Sequence, residues 1–168
     1  GGGGGGLGGR AGRCEGRASC APPLPGAGGR HGSVIGPWPA APAAIRPAGE
    51  VYTEQGTQRF EQPRAYETAE LPGVIEEFVT AARNAIAAGL DGVELHAANG
   101  YLLQQFLSDS TNQRTDTYGG SPANRARFVI RVAIAVAAAI GPDRVGIRIS
   151  PAGTFNDITE TQTEATYT

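Results

Sequence analysis

Three side chains able to hydrogen-bond a small ligand, His96, Asn99 and Tyr101, stand together in Asp91-Gly-Val-Glu-Leu-His-Ala-Ala-Asn-Gly-Tyr-Leu-Leu-Gln-Gln-Phe-Leu107. The stretch reads as a short buried strand that breaks and restarts as a helical turn. Strand parity places Val93 and Leu95 on one face and Glu94 and His96 on the other. His96 and Asn99 offer two donors for one carbonyl oxygen. Where such an oxygen gains negative charge in a reaction, a preorganised donor is worth ~10²–10³ in rate. A second strand, Val145 to Ser150, alternates Val145, Ile147 and Ile149 against Gly146, Arg148 and Ser150. If the polar faces of both strands look into one barrel, the Arg148 guanidinium and the His96 imidazole converge near its mouth. In an α/β barrel the carboxyl ends of the strands carry the chemistry, and His96 sits at such an end. Plainer alternatives stand beside each assignment. They are a satisfied core histidine followed by an Asn-Gly turn, a packing aromatic at Tyr101, and an ion pair from Arg148 to Glu94 or another barrel acid.

The elements that must position these groups are legible on either side. Leu71 to Ala88 reads as a helix, with Pro72 in its first turn, Glu76 and Glu77 toward its positive end, and Gly89 as its stop. Val74, Phe78, Ala81, Ala82, Ala85 and Ile86 make an apolar stripe at helical spacing. Leu102 to Leu107 is expected to be a short helix that packs Leu103, Phe106 and Leu107 inward. Pro122 to Ile140 reads as a long helix capped by Ser121, apolar enough to be buried on more than one side, and ended by Gly141-Pro142. The order helix, strand, helix, strand implies a parallel crossover. Residues 39–70 read as an extended loop broken by prolines, with Val51-Tyr-Thr53 as a possible short strand. The last residues, 151–168, read as the loop after the second strand, ending before the next helix.

Several segments in this order carry a more specific signal. They are Leu71-Pro-Gly-Val-Ile-Glu-Glu-Phe78, the stretch around His96, Gln105-Phe-Leu-Ser-Asp-Ser-Thr-Asn-Gln-Arg-Thr-Asp-Thr-Tyr-Gly-Gly-Ser121, Asn124-Arg-Ala-Arg-Phe128 and Gly146-Ile-Arg-Ile-Ser-Pro151. From about Pro42 onward the chain resembles the old yellow enzyme family of FMN-dependent ene-reductases. The resemblance implies an α/β fold, here part of a (β/α)8 barrel, and reduction of α,β-unsaturated carbonyl compounds with NAD(P)H as hydride source. It implies that His96 and Asn99 bind the substrate carbonyl and that Tyr101 is the catalytic proton donor. A phenol is protonated at neutral pH, as a general acid must be. It implies further that Arg148 binds FMN, since a guanidinium beside the N1/C2 edge favours the reduced ring. Asn112, Arg114, Asp116 and Tyr118 are expected to form a network that holds their loop, an architectural and not a catalytic role. Ala41-Pro-Ala-Ala-Ile45 and Gln62-Pro-Arg-Ala-Tyr66 resemble the family's cover over the mouth of the site.

Composition narrows the classes. Net charge is −2 with a pI near 5.7, and the arginines are scattered, so no footprint for nucleic acid is present. No apolar run reaches the ~20 residues of a membrane span, and no signal peptide is visible, so a soluble cytoplasmic protein is expected. Cys14 and Cys20 have no histidine at metal spacing and read as free thiols. Residues 1–38, rich in Gly, Arg, Ala and Pro, are expected to be disordered, with the barrel segment over 39–168. A complete barrel needs about 250 residues. The chain has 168 and no methionine, so it reads as part of a domain. Two rival readings stay open: a remnant that binds no flavin, and a related dienoyl-CoA reductase with an iron–sulfur domain. The physiological alkene, the preferred nicotinamide and the oligomeric state are not legible in the sequence.

Overall fold

The computed structural model describes residues 39–168, except 54 and 55. The glycine-rich segment 1–38, with Cys14 and Cys20, lies outside the described residues. Four short strands come first: β1 (Ala40–Ala41), β2 (Glu50–Thr53), β3 (Gly56–Arg59) and β4 (Arg64–Ala65). The main body follows as α1 (Leu71–Ala87), β5 (Val93–Ala97), α2 (Leu102–Leu107), α3 (Pro122–Ile140), β6 (Val145–Ile149) and α4 (Thr163–Tyr167).

Local chemistry explains the boundaries of the long helices. Pro72 occupies the first turn of α1, where its missing N–H costs nothing. The N–H of Gly89 bonds to the carbonyl of Ile86 and that of Leu90 to Ala85, with Gly89 at φ +91°, so the last turn closes as a left-handed stop. Ser121 caps α3 by accepting from the Asn124 N–H, and Gly141 ends it at φ +97°. Helix α1 buries Leu71, Val74, Phe78, Val79 and Ala82, and packs on α3. Helix α3 buries Phe128, Val129, Val132 and Val136. Phe106 of α2 stacks on Phe128 with ring centroids 4.1 Å apart, and Tyr118 meets Phe128 edge-on at 6.3 Å. Removing either buried phenylalanine side chain is expected to cost ~3–5 kcal/mol.

Strands β5 and β6 pair in parallel, with Val93 opposite Val145 and His96 opposite Arg148. In β5, Val93, Leu95 and Ala97 are buried while Glu94 and His96 are not, which is the parity expected from the sequence.

Three features depart from expectation, and one strand is left partly uncovered. Helix α3 is covered on one side only, with Ile130 and Ile134 53% and 64% exposed. The apolar residues of β6 are half-exposed as well, Ile147 at 46% and Ile149 at 47%, because among the described residues only β5 pairs with this strand. Residues 39–70 are more ordered than an extended loop. β2 and β3 form an antiparallel hairpin, and β1 pairs with β4 in parallel. Finally, the chain does not end in a loop: α4 forms within it.

The expected network at 112–118 is present and reaches further than its own loop. Asn112 donates to the carbonyls of Phe106 and Tyr118. Arg114 binds Asp116 and donates to the carbonyls of Pro42 and Tyr66 and to Thr68. One guanidinium therefore fastens the proline-rich segment that precedes α1 to the body.

Candidate active site

His96, Asn99 and Tyr101 come together where β5 ends. His96 is half-buried on the polar face of the strand. Beyond Ala97 and Ala98 the backbone turns left-handed, with Asn99 at φ 55° and Gly100 at φ 74°. Asparagine tolerates this region better than most residues. Gly100 is required by space as well, because a Cβ there would stand 2.6 Å from Asn156 Cβ and 2.7 Å from the Phe155 carbonyl oxygen. The turn leaves the Asn99 and Tyr101 side chains exposed and brings the Tyr101 ring back over the strand end. The His96 and Tyr101 ring centroids are 5.3 Å apart, tilted by 49°.

Arg148 joins this group from β6, in register beside His96. Of the partners left open for it by the sequence, the one present is Glu94: Arg148 Nε donates to Glu94 Oε1 at 2.7 Å. Both side chains are at least half exposed, so the pair contributes little to stability. Its consequence is electrostatic. Partial burial pushes the His96 imidazole below its usual pKa, the Arg148 charge adds to that, and Glu94 opposes it. His96 is thereby held neutral at neutral pH, with one ring N–H to donate.

Sequence reasoning missed the residues behind the turn. Gln104 is fully buried in α2. Its Oε1 accepts from the Gly100 N–H at 2.8 Å and from the Ser150 hydroxyl at 3.0 Å. Its Nε2 donates to the Ser150 carbonyl at 3.0 Å and to Glu160 at 3.2 Å. Ser150 Oγ in turn accepts from the Asn99 N–H at 3.1 Å. Gln105 Nε2 donates to the Gly100 carbonyl at 2.7 Å, and Asn156 Nδ2 to the Asn99 carbonyl at 2.7 Å. The available signal was two adjacent glutamines inside an otherwise apolar short helix. A buried amide must find partners, and here it finds them at the site.

The four side chains lie on an open face. Concavities of about 450 Å³ beside α4 and about 510 Å³ around Arg46–Glu50 and Arg59 are not lined by any of them. Among the described residues no cluster of three or more His, Cys, Asp or Glu side chains could hold a metal ion, and no helix is long and apolar enough to cross a membrane. Chemically, the face offers an imidazole, a carboxamide, a phenol and a guanidinium. Three neutral donors and a cation suit a carbonyl oxygen beside a planar ring rich in acceptors. FMN has such a ring, and the donor set fits it, provided Arg148 exchanges Glu94 for the ring edge.

A model of the NADH:flavin oxidoreductase / NADH oxidase family matches residues 35–168. The chain is 47% identical over 132 residues to a probable flavin mononucleotide-dependent alkene reductase of Leishmania infantum, covering 79% of this chain and 36% of that protein. It is 52% identical over 107 residues to 12-oxophytodienoate reductase 2 of Arabidopsis thaliana, covering 64% of this chain and 29% of that protein. Among solved structures, the old yellow enzyme homologue from Zymomonas mobilis matches with a TM-score of 0.81 at 39% identity, over 83% of this chain and 40% of that one. Morphinone reductase in complex with tetrahydroNAD matches with a TM-score of 0.77 at 44% identity, over 82% of this chain and 41% of that one. The chain thus spans between 29% and 41% of the length of these relatives.

Proposed function

The chain belongs to the old yellow enzyme, or NADH:flavin oxidoreductase / NADH oxidase, family, and from that premise we propose that it carries the substrate face of an FMN-dependent reductase of activated alkenes. The substrate class is α,β-unsaturated carbonyl compounds and the hydride source is NAD(P)H. One observation carries the reading: His96, Asn99 and Tyr101 share one turn at the carboxyl end of β5, with Arg148 in register beside His96.

When bound, FMN would supply the hydride it has received from NAD(P)H to the β-carbon of the alkene. His96 and Asn99 donate hydrogen bonds to the substrate carbonyl oxygen, where negative charge develops as the β-carbon is reduced. A neutral imidazole suits this task, since it donates without adding a like charge beside Arg148. The Tyr101 phenol delivers a proton to the α-carbon and is reprotonated from solvent, so one hydride and one proton saturate the double bond. Arg148 would hold the cofactor edge and balance its negative charge, once released from Glu94.

Rapid mixing tests these roles in the flavin-loaded protein. Tyr101→Phe should leave flavin reduction by NADPH within about twofold and slow cyclohexenone reduction by ~10²-fold or more. Equal rates of cyclohexenone reduction would remove Tyr101 from the chemistry. The half-exposed Ile147 and Ile149 favour a second reading, in which this chain alone binds no flavin. Failure to load FMN would select it.

A further inference from the structure

The hydrogen bonds of Gln104 form a closed set. A glutamine amide has two lone pairs and two N–H donors, and Gln104 uses all four. The carbonyl side holds the Gly100 N–H and the Ser150 hydroxyl, while the amino side holds the Ser150 carbonyl and the Glu160 carboxylate. Reversing the amide would set its N–H groups against the Gly100 N–H and its oxygen against two acceptors, so only one orientation satisfies the site. Ser150 links the set to the functional turn by accepting from the Asn99 N–H. Gly100 and Asn99 carry the left-handed bend between His96 and Tyr101, and Ser150 follows Arg148 by two residues at the end of β6. The only buried side chain that bonds both strand ends in this set is therefore Gln104, reaching from α2.

We propose that Gln104, acting through Ser150, is the positioning residue of the site: it fixes the Asn99–Tyr101 turn of β5 against the end of β6, so that the substrate donors and Arg148 face one space. It touches no substrate itself. The inference deepens the reductase reading, and in its catalytic consequence it rests on that reading. The geometric part stands on the hydrogen bonds alone.

Hydrogen exchange on the full 168-residue chain tests the geometric part without flavin. Gln104→Leu keeps the volume and removes all four bonds; Ser150→Ala removes the hydroxyl hinge and should fold where the first variant does not. Exchange of the Gly100 N–H should accelerate roughly tenfold in Gln104→Leu, and that of the Asn99 N–H roughly tenfold in Ser150→Ala. Amides of Phe128 and Val132, in the middle of α3, should change by less than about twofold. Uniform acceleration in the turn and in α3, or none in the turn, would overturn the proposal by reducing Gln104 to a general core residue. A second arm uses FMN-loaded protein and p-hydroxybenzaldehyde as the probe. Gln104→Leu should weaken its binding at least tenfold while FMN affinity moves less than about threefold. Equal losses would overturn the positioning role. If the natural chain takes up no FMN, the reductase reading of this chain fails and the exchange result still decides the geometry.

Discussion

Gly100→Ala is the substitution for which the structure gives the sharpest energetic expectation. Two costs fall on it. The left-handed backbone at φ 74° costs an L-residue ~1–2 kcal/mol. The new methyl group would also stand 2.7 Å from the Phe155 carbonyl oxygen and 2.6 Å from Asn156 Cβ, closer than ordinary contact, so the 155–158 segment must move. Overpacking of this kind costs a further ~1–3 kcal/mol. The control is Gly89→Ala, at φ +91° with nothing within 4 Å of its Cβ, which carries the conformational cost alone. The two variants should therefore differ by ~1–3 kcal/mol, with Gly100→Ala the less stable. For a urea slope of about 2 kcal/mol per M, this separates their unfolding midpoints by roughly 0.5–1.5 M. Midpoints that coincide would show that the turn is not pressed against 155–158, and the account of how the site is held would fail with it.

Two further outcomes can be checked on the same material. His96 has its pKa lowered, so the unfolded chain binds the extra proton more readily. Stability should rise with pH toward and through the ordinary imidazole value of ~6.5, and fall as pH drops below it. The difference in unfolding free energy between the natural chain and His96→Gln, measured in urea between about pH 5 and 7, should carry this slope; a difference of the opposite sign would contradict the assigned environment. Arg114→Ala should cost ~2–4 kcal/mol, because Asp116, whose carboxyl the guanidinium holds well below its usual range, loses its ion-pair partner and the Pro42 and Tyr66 carbonyls lose a donor. Limited proteolysis should then cut within residues 39–70 faster, whereas Arg64→Ala, which breaks an exposed pair with Glu70, should leave the cleavage rate near that of the natural chain.

What the sequence revealed was whatever is written locally. Pro72 and Gly89 bracket α1, Ser121 and Gly141 bracket α3, and alternation in Val93–Ala97 assigned the faces of β5 correctly. The same alternation placed His96 and Arg148 on matching polar faces, and the register brings them side by side. Long-range pairing was not legible. The second strand of the hairpin, Gly-Thr-Gln-Arg, has no apolar alternation to announce it, and β1 meets β4 across an intervening segment that holds the hairpin itself. The choice of Glu94 as partner for Arg148 and the four bonds of Gln104 depend on which strands become neighbours, and no local signal states that. The breadth of the apolar surface on α3 predicted burial on more than one side, but Ile130 and Ile134 face solvent, because an apolar composition says what could be covered and not what covers it. The roles of His96, Asn99, Tyr101 and Arg148 came from family resemblance joined to residue chemistry. The structure adds their proximity.

The central claim is that this polar face serves a flavin, and titration of the 168-residue chain with FMN, followed by quenching of flavin fluorescence, tests it most directly. The account predicts saturable quenching by the natural chain, weakened at least tenfold in Arg148→Ala and little changed in Tyr101→Phe. No saturable quenching by the natural chain, or quenching indifferent to Arg148, would contradict it.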